Sequence, residues 1–208
     1  PMPHKQQPDC GDQEDIEMTS THTHPQTAGL GAVFDHVAET IRHTPGKALA
    51  HFEVQSRQVR GLHSEVETRD FILTVDEPKA LGGQDLGPNP IELILAAIAS
   101  CQEITYRLYA DRLGIPLKGV SVSVKGDIDL RGLFALDPGV RPGLRGLDIQ
   151  VDLDSTASQA ELDRLKRTVD AHCPVLDIIR NATPVIARTQ RQSDGSPIDT
   201  PLFAGLAG

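Results

Sequence analysis

One stretch restricts the possible folds of this chain more than any other: "GPNPIELILAAIASCQEITYRL", residues 87–108. A turn of Gly, Pro and Asn leads into a helical pattern from Pro90 to Leu113. Pro90 suits the first helical position, and Asn89 suits the cap. Between Ile91 and Ala99 the only polar residue is Glu92, so this half is apolar nearly all round and belongs inside the protein or in a subunit interface. Beyond Cys101 the pattern turns amphipathic, with Ile104 and Leu108 on the apolar side, until Gly114 stops it. Such a helix must be wrapped by other elements.

The flanking segments supply the wrapping. Ahead of the helix, "ALAHFEVQS", "LHSEVETR" and "DFILTVDEP" have strand character. In the second, Leu62, Ser64, Val66 and Thr68 alternate with His63, Glu65, Glu67 and Arg69, which suits one wet face. "LGGQDLGPNP" is a turn-rich loop. After the helix, "VSVSVKGDIDL" and "LDIQVDLD" read as strands joined by the loop "RGLFALDPGVRPGLRG". A further helix follows, opened by a capping box of Ser158 and Glu161, with Leu162, Leu165 and Val169 on one stripe. Pro174 must break it, leaving Cys173 at the break and "PVLDIIRN" as a second short helix. "PVIARTQRQ" reads as a last strand. Strands, long helix, strands, helices, strand is an α+β order, with helices packed on antiparallel sheet.

The outer parts of the chain read differently. Residues 1–28 are polar, acidic and rich in Pro, Thr, Gln and His, and are expected to form a disordered tail in which His22 and His24 are solvated. Residues 29–46 form a helical extension, with Val33, Phe34, Val37 and Ile41 near helical spacing and Pro45-Gly46 as its end. The main domain covers 47–192, and 193–208 is an irregular tail.

Charge and composition exclude several functions. A net charge of −9 with scattered basic residues opposes binding to nucleic acid or to an anionic membrane surface. No run of about 18 apolar residues is present to span a bilayer, and the first residues have no apolar core of a secretory signal. The three cysteines, Cys10, Cys101 and Cys173, form neither a disulfide framework nor a zinc-type pair, which fits a reducing cytoplasm. Grouping Cys101, His172, Cys173 and a carboxylate around zinc would give poor chelate geometry, so no metal is expected. Cys10 has no evident role.

Local chemistry ranks the other two. Cys173 precedes a helix N-terminus, whose free N–H groups favour a thiolate, whereas Cys101 lies in an apolar helix that favours the neutral thiol. On this basis Cys173 is the more reactive. Either cysteine also fits as a small buried residue.

Together, "LGGQDLGPNPIELILAAIASC" and "HCPVLDIIRNATPV" resemble the OsmC/Ohr family of osmotically inducible and organic hydroperoxide resistance proteins, over residues 48 to 192. The resemblance implies an intertwined homodimer in which antiparallel sheets wrap a long central helix. It implies a peroxidase that reduces organic hydroperoxides, with Cys101 as the peroxidatic thiolate and Cys173 as the resolving thiol, so the local ranking is reversed. No bound cofactor is implied, only an external dithiol reductant of lipoyl or thioredoxin type. An apolar surround of Ala, Ile and Leu at Cys101 would favour alkyl or lipid hydroperoxides. The family activates its thiolate with an arginine from the first hairpin loop, held by a glutamate early in the cysteine helix. Here the candidates are Arg57 and Arg60 in "SRQVRG", and Glu92, one residue after the family position, which is Ile91. One residue rotates a helical side chain by about 100°. Glu103 is a further carboxylate. The alternative function is an OsmC-fold protein that binds a hydrophobic small molecule or senses redox state without efficient peroxidase activity.

Overall fold

A computed structural model describes residues 29–193 and 195–198 of the chain. The segment read as a disordered tail, Cys10 within it, and most of the C-terminal tail lie outside these residues.

The long helix is where the sequence puts it. Helix α2 runs Pro90–Leu113 and begins with a reciprocal capping box: the Glu92 N–H donates to Asn89 Oδ1 at 2.9 Å, and the Asn89 N–H donates to Glu92 Oε2 at 2.8 Å. It ends on Gly114, whose φ of 66° is the left-handed conformation that glycine adopts without strain. Its first half is not enclosed by this chain. Only Ile98 is buried between Ile91 and Ala99, and Ile94 is 43 % exposed.

The second half carries the core. Tyr106 and Ala110 pack with Ile115 and Leu117, and with Leu165 and Val169 of helix α4 (Gln159–His172). The buried face is not purely apolar: Gln102 and Thr105 lie on it, while Ile104, expected on the apolar side, is 66 % exposed. The correction is a matter of phase, because positions 98, 102, 105, 106 and 110 follow the helical repeat and Ile104 falls outside it.

Two separate sheets accompany this helix pair, and the first of them packs on α2. Strands β4 (Gly119–Ile128) and β5 (Leu144–Asp154) form an antiparallel ribbon whose register runs from Gly119 opposite Asp154 to Ile128 opposite Leu144. Alternation puts Val120, Val122 and Val124 on the more buried face, and β4 packs against α2. The loop between them holds one helical turn, α3 (Leu130–Leu133), capped by Asp129. The second sheet has the order β1-β2-β3, from Gln55–Arg60, His63–Thr68 and Phe71–Val75. Strand β1 begins later than "ALAHFEVQS" suggests and consists of "QSRQVR", so Arg57 and Arg60 are strand residues, not loop residues. Gly61, at φ 58°, makes the tight turn that lets pairing reach Arg60. Only Val75 at the end of this sheet is buried; Phe71, Ile72 and Leu73 are exposed.

The passage from β3 to α2 is fixed by one carboxylate. Asp76, 1 % exposed, accepts N–H groups from Glu77 and Gln84, both at 2.9 Å, and from Leu86 at 3.3 Å. Burial pushes its pKa up, but the amides of Gln84, Glu77 and Leu86 outweigh this and hold it below the usual carboxylate value. At Gly87 a side chain would meet the Thr74 carbonyl, with Cβ only 2.2 Å from the oxygen, so the loop returns against β3 where only glycine fits.

The extension is a helix, α1 (Leu30–His43), docked on the far end of α2. The Phe34 ring centroid lies 5.9 Å from that of Tyr109, the Arg112 guanidinium sits 4.0 Å over Phe34, and the Gly31 N–H donates to Asp111. The expected last strand is not formed. Residues 184–192 have no ladder, only a single bridge from Gln190 to Pro197, and Val185 and Ile186 are exposed. No strand of the described chain runs alongside them to complete their hydrogen bonds.

Candidate functional site

Two elements bring the central cysteines together across a separation of 72 positions. Cys101 sits on α2, one turn after the buried Ile98 and one before Thr105. Cys173 occupies the joint between α4 and α5 (Pro174–Arg180): it is the C-cap of the first and the N-cap of the second, at φ −76° and ψ 112°, as the proline after it requires. Its N–H closes α4 on the Val169 carbonyl at 2.9 Å. The stripe of Leu165 and Val169 continues into Cys173, which is 1 % exposed. The Cys173 thiol donates to Cys101 Sγ at 3.3 Å, and both cysteines are free.

The two sulfurs differ in access and in electrostatics. Cys101 is partly exposed and Cys173 is enclosed. Burial, the largest influence, pushes the Cys101 thiol pKa up. The Val175 N–H pulls it down; the neighbouring Cys173 raises it further, and the Thr105 hydroxyl opposes the rise, which remains upward on balance. The start of α5 thus acts on Cys101, across from the Cys173 that caps it. An N-cap side chain that turns inward leaves the free amides of the first turn to face the residue packed across from it.

The other candidates have different partners. Arg57 pairs with Glu65 on the facing strand and lies 4.0 Å from Glu67. Arg60 donates to Gln84 Oε1 at 3.2 Å, so a neutral amide holds it beside the Asp76 loop. Glu92 is committed to the capping box, and Glu103 is exposed. His172 donates from Nδ1 to the Thr168 carbonyl at 2.7 Å and stacks its ring 5.2 Å from Tyr109. Among the described residues no three His, Cys, Asp or Glu side chains are grouped to hold a metal ion, and no helix is long and apolar enough to cross a membrane.

Thr105 was not singled out by sequence, because threonine on a helix is ordinary. Its hydroxyl donates to the Cys101 carbonyl at 2.6 Å, and it is 6 % exposed. Gln102 was missed for the same reason. It is 1 % exposed, its Nε2 has no hydrogen-bond partner among the described residues, and with Tyr106 it lines an open cavity of about 700 Å³ whose wall mixes Val151, Leu162 and Leu176 with Asp163, Lys166 and Asp170.

The sequence profile of the OsmC-like protein family matches residues 82–188, which contain both cysteines and every element from α2 to α5. The chain belongs to the OsmC-like family. Solved OsmC-like structures agree in fold. An organic hydroperoxide resistance protein OsmC from Legionella pneumophila is 26 % identical, with a TM-score of 0.52 over 64 % of this chain and 92 % of that one. An OsmC-like protein from Mycoplasma pneumoniae is 19 % identical, with a TM-score of 0.56 over 64 % of this chain and 89 % of that one. An organic hydroperoxide resistance protein from Elizabethkingia anophelis is 20 % identical, with a TM-score of 0.53 over 65 % and 92 %. No curated protein sequence matches the chain. The OsmC-like profile leaves α1 and β1–β3 outside its match, so Arg57 and Arg60 stand on elements the family match does not reach, while the cysteine pair stands within it.

Proposed function

We propose that this OsmC-like protein is a cysteine-based peroxidase for organic hydroperoxides in a reducing cytoplasm. The observation that carries the reading is the cysteine pair: a partly exposed sulfur 3.3 Å from an enclosed one. The Cys101 thiolate attacks the terminal oxygen of the hydroperoxide. The O–O bond breaks, Cys101 becomes a sulfenic acid, and the departing alkoxide takes up a proton to leave as the alcohol. Cys173 then displaces the hydroxyl from the Cys101 sulfur, water leaves, and a disulfide forms. The sulfurs need only close from 3.3 Å to a bond of about 2.0 Å. An external dithiol of lipoyl or thioredoxin type returns the pair to thiols. It attacks Cys101, the sulfur within reach, and releases the Cys173 thiolate.

The net rise in the Cys101 pKa calls for an activating cation, and we assign it to Arg60. Arg57 is tied to two glutamates, whereas Arg60 donates to the Gln84 amide and has no carboxylate at ion-pair distance among the described residues. The same reading includes a homodimer. The exposed Phe71, Ile72 and Leu73 of the outer sheet, and Ile94 and Ile104 on α2, form apolar surface that a second copy would cover. Sedimentation at twice the 22.5 kDa of one chain is the expected result.

The test is single-turnover oxidation with tert-butyl hydroperoxide and with hydrogen peroxide. The wild type should lose two of its three thiols quickly to the organic peroxide and more slowly to hydrogen peroxide. Undiminished consumption by Cys101→Ser would refute the reading. A second function, holding a small molecule with apolar parts, is favoured by the cavity under Gln102 and Tyr106. That protein would keep its thiols through the same exposure.

A further inference from the structure

Thr105 stands one turn from Cys101 on the buried face of α2, 6 % exposed, with its hydroxyl 2.6 Å from the Cys101 carbonyl oxygen. Threonine often bonds the carbonyl four residues back, and that contact alone would signify nothing. Two features give it more weight. The spacing of four puts the hydroxyl on the same side of the helix as the Cys101 side chain, one turn along the buried face. The carbonyl has another donor, since the backbone N–H of Thr105 is its partner in the helical ladder. The hydroxyl proton can therefore leave the carbonyl without orphaning it.

We propose that Thr105 is a positioning residue for the thiolate of Cys101: its hydroxyl hydrogen rests on the Cys101 carbonyl while the sulfur is a thiol and turns to the sulfur when the thiol ionises. This role rests on the peroxidase reading for its purpose. Ionisation releases the Cys101 proton to solvent, and Thr105 keeps its own. The thiolate is then held by the Thr105 hydroxyl together with the Cys173 thiol, 3.3 Å away, and is favoured by the Val175 N–H. A hydrogen bond to an anion is worth more than one to a neutral carbonyl, which is what drives the turn.

The experiment is the pH dependence of Cys101 alkylation by iodoacetamide, followed peptide by peptide by mass spectrometry in the full chain, for wild type, Thr105→Val and Thr105→Ser. Valine keeps the shape and loses the hydroxyl; serine keeps the hydroxyl. The expected result is a Thr105→Val profile displaced upward by about one pH unit, which is about tenfold slower alkylation at neutral pH, with Thr105→Ser close to wild type. Coincident profiles for all three proteins would overturn the proposal, as would a serine variant that behaves like valine. Alkylation needs no peroxide, so the result stands whether or not the protein proves to be a peroxidase. A thermal melt of each variant reads packing separately. If Thr105→Val melts lower but keeps the wild-type alkylation profile, Thr105 is a structural residue and the proposal fails.

Discussion

Cys101 and Cys173 lie with their sulfurs 3.3 Å apart, yet one is partly open and the other is 1 % exposed. In the proposed peroxidase, contact without equal access separates their roles: the first reaction with a dissolved oxidant would fall to Cys101, and the second to Cys173, which is already in place.

Replacing the enclosed thiol should therefore trap the intermediate. After one equivalent of tert-butyl hydroperoxide, Cys173→Ser is expected to hold Cys101 as a sulfenic acid that dimedone labels, whereas wild type gives an internal disulfide and no label. Equal labelling of both proteins would show that the pair does not resolve.

The choice between the two arginines is readable in pH profiles. If Arg60 is the activating cation, Arg60→Ala should oxidise at least about tenfold more slowly at pH 7, because a nearby opposite charge shifts a pKa by roughly one to three units. Its rate should still climb past the ordinary cysteine value of about 8.5, since burial then dominates. Arg57→Ala should follow wild type. Matching profiles for both variants would remove Arg60 from the mechanism.

Tyr106 offers a check on the core beside the cavity. Burial, and then the charge of Asp170, push its pKa up to about 12. The raised folded value means that its contribution to stability is complete below the unfolded value of about 10 and is lost as pH rises towards 12. The loss is about 2–3 kcal/mol, and Tyr106→Phe should lack it. Absorbance titration is simple, because the chain has two tyrosines and no tryptophan. A Tyr106 that ionised near pH 10 would contradict the enclosure described here.

The cap of α2 is a matter of stability. Asn89→Ala removes the acceptor for the Glu92 N–H and should cost about 1 kcal/mol, or roughly 2–4 °C in Tm for a chain of this size. Cys101, three turns on, should keep its alkylation rate. A change in that rate with no change in Tm would tie the cap to the site instead.

Much of this was legible in the sequence because the signals are local. Asn89, Pro90 and Gly114 bound α2 by their backbone preferences, Ser158 and Glu161 open α4, and Pro174 forces the break at Cys173. Alternating valines give β4. Where local signals were weak, the reading slipped. Strand β1 has Val59 as its one apolar residue and shows no apolar alternation, so its sequence places Arg57 and Arg60 in a loop. The apolar run at 184–186 has strand character, but a strand needs a neighbour, and the described chain provides none.

The sequence by itself determined the helices, most of the strands, their caps and breaks, and the family. Only the tertiary structure decided which sulfur is enclosed, which helix start faces Cys101, and that the polar Thr105 and Gln102 lie on the buried face of α2. The physical reason is that capping and turn formation depend on residues within a few positions of one another. Access, burial and hydrogen-bond partners at a site joined across 72 positions depend on how those elements pack, which no local pattern records.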